Sequence, residues 1–573
     1  MKRWIFLGVV AVACLGATLG AATPAARTAA QTRYVVLYQP NASPASAKAA
    51  IVAAGGRILH ANWRVGVATV VSANPDFRDR AASTAAIEGI AQDRVIGSAS
   101  EPRPRFSLET MRELRDASKS MKLESPANKA RRGGNGVEPL APLQWDMKMI
   151  HATADGSYAK ERGSKDVLVG IIDTGVDGNH PDIAPNFSRS LSRNFTTDIP
   201  LIDGPCADEP DHSCSDPADV DENGHGTHVA SEIGAPINNL GIAGVAPDVT
   251  LVNLRAGQDS GYFFVQPTVD ALTYAGDHGI DVVNMSYFID PWLFNCRNNP
   301  ADSPAAQLEQ QTIIDATQRA LDYAHAHGVT LIAAAGNENT NLAQVTTDEI
   351  SPDFPPGAEY SRTIDNNCLS MPEQGNNVIG VSSIGPTKAK ADYSNYGYEK
   401  VTVSAPGGYF RDDPWNLSMT PAERTAAGIP NLILGAYPKN VAEENGDLNP
   451  DGTPNNPFVV RDCRGTTCAY YQWLQGTSMA SPHAVGVAAL IVSAHGKKGR
   501  HGMSLNPFLT QAYLQASATG TPCPTPNPFT YTAQGRPDDF TAFCEGTAAY
   551  NGFYGYGIVD ALAAVGRDVL DDD

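Results

Sequence analysis

Apolar and polar positions change rhythm along the chain, and the change separates two regions. From residue 141 onward, short apolar runs alternate with longer stretches of helical period. The runs predict strands at 166–173, 249–254, 281–286, 329–335 and 377–382. The longer stretches predict helices at 225–235, 267–278, 305–327 and 478–495. Strands alternating with helices build a mostly parallel sheet covered on both faces, so this region reads as α/β. Sites in such sheets form at strand carboxyl ends, where Asp173, Ser286 and Asn337 stand. Upstream, residues 33–97 read as a small separate α+β domain. Arg33–Tyr38 predicts a strand, Ser43–Ala54 a helix stopped by Gly55-Gly56, Arg57–Ser72 one or two strands, and Asp79–Gln92 a second helix. Residues 98–140 have little apolar periodicity and carry Arg103, Arg105, Arg131 and Arg132, as a basic linker does.

Composition narrows the class. The 573 residues are 42% hydrophobic and 18% charged, with no internal stretch that reads as a transmembrane helix, so no membrane partner is expected. The net charge of −20 argues against a nucleic-acid partner. That charge is uneven: residues 1–132 hold 19 Lys/Arg against 9 Asp/Glu, and the rest of the chain 23 against 53. A basic leader and an acidic body suit two pieces that associate. Met1-Lys2-Arg3, an apolar run from Trp4 to Leu19 and small residues through Ala22 form an export signal over 1–22, so the protein is expected to be secreted. Ala11-Val-Ala before Cys14 raises a lipoprotein reading, against which stands the missing leucine three residues before the cysteine. Eight cysteines follow, an even count that implies disulfides in an exported chain. Local neighbours suggest Cys206–Cys214, Cys463–Cys468 and Cys523–Cys544, leaving Cys296 with Cys368, a connectivity that sequence alone does not fix.

Candidate chemistry gathers on four segments. Gln475-Gly-Thr-Ser478-Met-Ala-Ser-Pro482-His reads as a turn and then a helix opening at Ser478, with Pro482 in its first turn. A helix-opening serine is ordinarily a cap. The bracketing Gly476 and Gly486 and the small residues suit a nucleophile better, because it needs close backbone approach and helix N–H groups facing a developing oxyanion. Upstream lie Val167-Leu-Val-Gly-Ile-Ile-Asp173-Thr-Gly175, Asn223-Gly-His225-Gly-Thr-His228 and Thr330-Leu-Ile-Ala-Ala-Ala-Gly336-Asn337-Glu338. Two other readings fall away. Asp-Thr-Gly also marks aspartic proteases, which need two such aspartates where this chain has one. His225 and His228 with Asp221 and His212 suggest a metal site, but no His-Glu-x-x-His is present and the nearby cysteines suit a disulfide, which leaves His228 structural.

Together, and in this order, the segments resemble those of the subtilisin-like serine proteases, the subtilases, over about residues 144–565. The resemblance implies Asp173, His225 and Ser478 as a catalytic triad in the order Asp, His, Ser and Asn337 as oxyanion donor. It implies a subtilisin-like domain over 141–570, and it makes 33–97 similar to a ferredoxin-like propeptide inhibitor domain, with the maturation site in the linker 98–140. The expected activity is that of a secreted, monomeric endopeptidase that acts on protein or peptide substrates and on its own propeptide, with no cofactor in its chemistry. An exopeptidase resembling tripeptidyl-peptidases and a catalytically silent binding homologue are the alternatives. The family's Asn-Met-Ser-Leu-Gly-Gly is here Asn284-Met-Ser286-Tyr287-Phe288-Ile289. Ser286, Tyr287, Phe288 and Gly336 are therefore the candidate substrate-binding residues, in a remodelled wall. Insertions at 288–304 and 338–370 hold Cys296 and Cys368, and a third spans 409–470. His180-Pro181-Asp182 resembles a calcium-binding segment of the family, which makes Asp182 a candidate structural calcium ligand, although the partner loop at Asn238-Asn239 is shorter than usual.

Overall fold

Two sheets, one antiparallel and one parallel, meet across a pair of helices. The structure is a computed structural model describing residues 31–93, 138–207, 212–355, 357–499 and 502–566. Residues 1–22, expected as an export signal and including Cys14, and the linker arginines lie outside the described residues.

The first sheet comprises β1 (Thr32–Tyr38), β2 (Gly56–Asn62), β3 (Val67–Ser72) and β4 (Ile87–Asp93), antiparallel in the order β2-β3-β1-β4. Its helix α1 (Pro44–Ala54) starts where the Ser43 side chain accepts the Ser46 N–H at 3.1 Å, and stops at Gly55, whose φ of 93° a β-carbon would oppose. The stretch Asp79–Gln92, predicted as one helix, is instead the end of a short helix α2 (Phe77–Ala82) and then β4. Ser83 and Thr84 close the helix with side-chain bonds to Arg80 and Ala81 carbonyls. Beyond them, main-chain pairing with β1 outweighs local propensity.

The second sheet is parallel in all its pairings and has seven strands. They are β5 (Leu168–Ile172), β6 (Arg193–Asn194), β7 (Thr250–Arg255), β8 (Val282–Met285), β9 (Thr330–Ala334), β10 (Val378–Ile384) and β11 (Val403–Pro406), in the order β11-β10-β9-β8-β5-β7-β6. Strand alternation divides its apolar side chains between two cores. Val169, Ile171, Val282 and Ile332 face helices α3 (His225–Gly234) and α6 (Thr477–His495). Ile172, Val283, Met285, Leu331 and Ala333 face α4 (Val265–His278) and α5 (Pro304–Ala326). Helix α6 is long and apolar enough to cross a bilayer, yet 89% of its apolar window is buried, so it is the axis of a protein core.

Alternation also explains why the first sheet needs the second. Tyr34, Val36, Tyr38, Val70 and Ile90 cover its own two helices, whereas Val35, Leu37, Val67 and Ala91 join the core of α4 and α5. Polar contacts rim that interface. Asn62 Nδ2 donates to Asp270 at 2.8 Å, Arg319 pairs with Glu88 at 2.6 Å and donates to the Tyr38 carbonyl at 2.7 Å, and His60 Nε2 lies 3.1 Å from Asp270.

The third insertion forms its own sheet of β12 (Ile433–Ala436), β13 (Val459–Arg464) and β14 (Thr467–Leu474), in the order β12-β14-β13. It packs on α3: the Ala436 N–H donates to Ser231 Oγ at 2.8 Å, and Asn440 Nδ2 donates to the Asp221 carbonyl at 3.2 Å. Four disulfides join Cys206 to Cys214, Cys296 to Cys368, Cys463 to Cys468 and Cys523 to Cys544.

Candidate active site

Asp173 follows the last residue of β5 and is fully buried. Its Oδ1 accepts from the Thr174 N–H and from His225 Nδ1, both at 2.8 Å. Because a carboxylate can only accept, Nδ1 carries the hydrogen and Nε2 keeps the ring's lone pair. Helix α3 begins at His225 and crosses close over the Asp-Thr-Gly turn, where a β-carbon on Gly226 would stand 2.0 Å from the Gly175 carbonyl oxygen. Only glycine permits that approach.

Asp221 fixes the start of this helix. Its Oδ1 accepts the Gly224 N–H at 2.9 Å, and its Oδ2 accepts the Thr227 N–H at 3.0 Å and hydroxyl at 2.6 Å. It thus satisfies N–H groups that a helix start leaves open. The motif reading grouped Asp221 with possible metal ligands and missed this capping role.

Burial of His225 opposes its charged form, but the charge and hydrogen bond of Asp173 outweigh it and hold the imidazole's pKa above 6.5. His228, three residues on, is held differently. Its Nε2 contacts the Gln472 carbonyl at 2.9 Å and must donate, so its Nδ1 accepts from Glu232 at 2.6 Å and Glu232 carries the proton. Burial lowers His228 to about 3 and raises Glu232 well above the carboxylate range, in agreement with that assignment.

Ser478 is the second residue of α6, within the turn whose N–H groups lack intrahelical partners, and is 5% exposed. The helix opens at Thr477, one residue before the predicted start, and Pro482 is its sixth residue, inside the helix and not in the expected first turn. A proline there removes the N–H that would bond the Ser478 carbonyl. Ser286, just past β8, supplies the replacement: its Oγ donates to that carbonyl at 3.0 Å and accepts from Asn284 Nδ2 at 2.8 Å.

Asn337 lies on the loop after β9. Its Oδ1 accepts the Thr477 N–H at 2.9 Å and the Thr477 hydroxyl at 3.0 Å, so the amide NH₂ is the end left to donate. Gly336 precedes it with φ 101° and donates its N–H to Thr477 Oγ1 at 3.1 Å.

The remaining candidate substrate residues divide. The Tyr287 ring is buried and stacks on Phe263 at 4.0 Å between centroids, 5° from parallel, so only its main chain can line a cleft. Phe288 is half-buried against a small core of Leu293, Phe294, Leu342, Val345 and Ile364. The Cys296–Cys368 disulfide belongs to that core, and Asn295–Cys296 pairs antiparallel with Cys368–Leu369. The two insertions therefore form one covalently tied block beside the Ser286 segment.

Asp182 does not fit a calcium ion. The loop beside it turns N–H groups, rather than carbonyl oxygens, toward three carboxylates. Asn239 donates to Glu138 at 3.0 Å, Gly241 to Asp462 at 2.9 Å and Ile242 to Asp182 at 3.1 Å. Tyr471 and Asn238 add donors to Asp182 at 3.0 and 2.9 Å. Calcium wants six to eight oxygens, whereas here N–H and O–H dipoles hold the carboxylates. Asp198, Asp216 and Asp259 also cluster, around the buried guanidinium of Arg255, which pairs with all three. That cation is already part of the chain.

Comparison with known proteins agrees with the motifs. A family model for the subtilase family matches residues 164–557. Subtilisin DY of Bacillus licheniformis is 26% identical over 342 residues, covering 60% of this chain and 82% of that protein. Thermitase of Thermoactinomyces vulgaris is 26% identical over 403 residues, covering 70% and 92%. The crystal structure of the epidermin leader peptide processing serine protease from Staphylococcus aureus superimposes with a TM-score of 0.59 at 20% identity, covering 95% of this chain and 99% of that one, which shows a shared fold.

Proposed function

The chain belongs to the subtilase family of serine proteases, and on that premise we propose that it is an exported endopeptidase in which Ser478, His225 and Asp173 hydrolyse peptide bonds. The observation that carries this reading is the 2.8 Å bond from His225 Nδ1 to the buried Asp173, which orients the imidazole and stabilises its charged form. His225 Nε2 takes the Ser478 proton as Oγ attacks the substrate carbonyl, then returns it to the leaving amine. The Asn337 amide and the Ser478 backbone N–H receive the oxyanion. Water hydrolyses the acyl-enzyme by the same steps in reverse roles.

Residues 33–97, described to residue 93, act as the propeptide domain in this reading. Burial of their sheet face on α4 and α5, the ion pairs at that rim and the basic linker that follows support it. Self-cleavage in the linker releases the mature enzyme.

Fluorophosphonate labelling tests the chemistry. The wild type is labelled on Ser478, cleaves a peptide blocked at its N-terminus, and loses both properties in Ser478→Ala. Labelling without cleavage of the blocked peptide would favour an exopeptidase, and absence of labelling in folded protein would remove the catalytic reading.

A further inference from the structure

The loop that carries Asn337 does not hold its shape alone. Asn395, 1% exposed on the connection between β10 and β11, grips it at Ala335, Gly336, Glu338 and Thr340. Its side-chain Nδ2 donates to the Ala335 carbonyl at 3.0 Å and to Glu338 Oε2 at 2.7 Å. Its Oδ1 accepts the N–H of Glu338 at 3.0 Å and of Thr340 at 2.8 Å. Its backbone N–H donates to the Gly336 carbonyl at 3.0 Å. Glu338 completes the circuit, because the carboxylate oxygen bound to Asn395 also accepts the Asn337 N–H at 2.9 Å.

The fit is tight. A β-carbon on Gly336 would stand 2.3 Å from Asn395 Nδ2. A buried lysine braces the other end of the same connection: Lys390 Nζ donates to the Ser394 carbonyl at 2.7 Å and to Asn339 Oδ1 at 2.9 Å. Residues 335–340 are thus moulded on residues 390–396, and Asn395 uses both ends of its amide to do it.

We propose that Asn395 is a positioning residue for catalysis, which holds the Asn337 amide where the oxyanion forms. The inference rests on the reading of Asn337 as the oxyanion donor. The geometry gives it a specific form. Asn337 is fixed on one side by Thr477 and on the other by the Glu338–Asn395 pair, so loss of Asn395 releases one side and leaves the donor present but misplaced. A misplacement of about 1 Å costs roughly 100-fold in rate, and complete loss of such a donor costs about 10²–10³. Asn395→Ala should therefore lower kcat by about 10- to 100-fold with KM little changed, because the interaction it supports is made in the transition state.

A double-mutant cycle tests this, with kcat and KM measured on one chromogenic peptide for wild type, Asn337→Ala, Asn395→Ala and the pair. Asn395 acts through Asn337, so its substitution should have little further effect on kcat once Asn337 is alanine. Equal, multiplying losses in both backgrounds, or a change confined to KM, would overturn the proposal. If Asn395→Ala does not fold, Asn395→Asp keeps the shape and removes the Nδ2 donor, and it carries the same cycle. Ser478→Ala is measured alongside: residual hydrolysis at the wild-type rate would sink the protease reading itself, and an unchanged kcat in Asn337→Ala would sink the oxyanion role.

Discussion

Pro482 and Ser286 make a quantitative prediction. The proline deprives the buried Ser478 carbonyl of its helix donor, and Ser286 Oγ replaces it at 3.0 Å. Ser286→Ala leaves that carbonyl and the Asn284 amide each short of a partner, and an unsatisfied buried group costs about 1–3 kcal/mol. Stability should fall by about 2–4 kcal/mol, within the range of mutations with a named mechanism. Pro482→Ala returns an N–H to the Ser478 carbonyl. In the Ser286→Ala background it should recover about 1–2 kcal/mol relative to its effect alone. The assay is urea unfolding followed by tryptophan fluorescence and far-UV circular dichroism, with all variants built on Ser478→Ala to prevent autolysis. Effects that add to within about 0.5 kcal/mol would refute the idea that the two residues serve one carbonyl.

Three further outcomes follow from the same geometry. The Asp173 charge raises the His225 pKa, and the base works only when neutral, so the acid limb of kcat/KM should have its midpoint above 6.5 and move to lower pH in Asp173→Asn, measured by pH–rate profiles. Loop N–H groups and Tyr471 hold the carboxylate of Asp182, so EDTA should leave Tm unchanged in differential scanning calorimetry, whereas Tyr471→Phe should lower stability by about 1–3 kcal/mol. His60 is raised by its hydrogen bond to Asp270, despite the opposing effect of its partial burial. Docking of the N-terminal unit therefore favours protonated His60, is strongest below the ordinary imidazole pKa and weakens as pH rises through the raised value. Inhibition of the mature enzyme by added residues 31–93 should show that trend, and His60→Ala should flatten it.

The sequence made the large parallel sheet legible because its strands are short apolar runs and its helices are long and periodic. Asp173, His225, Asn337 and Ser478 stood out because each lies in a local motif. What escaped notice depends on contacts distant in sequence. Asn395 grips residues 55 or more positions away, and Tyr471 reaches Asp182 from 289 positions away. Neither has a local signature. Asp79–Gln92 contains alanines and charges and reads as helical from sequence, but β1 offers residues 87–93 a ladder, and that pairing decides the structure. Asp182 is a candidate calcium ligand by its neighbours in sequence, whereas the direction of the Asn239–Ile242 N–H groups toward the carboxylates there is something no residue pattern encodes. Pro482 lies inside the helix and not in its first turn, and Ser286 supports the helix there in addition to its place in the candidate pocket wall.

Maturation of the chain by its own Ser478 is tested most directly by intact mass and N-terminal sequencing of the expressed protein. Wild type and Ser478→Ala are expressed in a protease-deficient host. Wild type should begin within the linker at 98–140, while Ser478→Ala should retain the sequence from residue 23 onward. The same N-terminus for both proteins, cut or uncut, would contradict it.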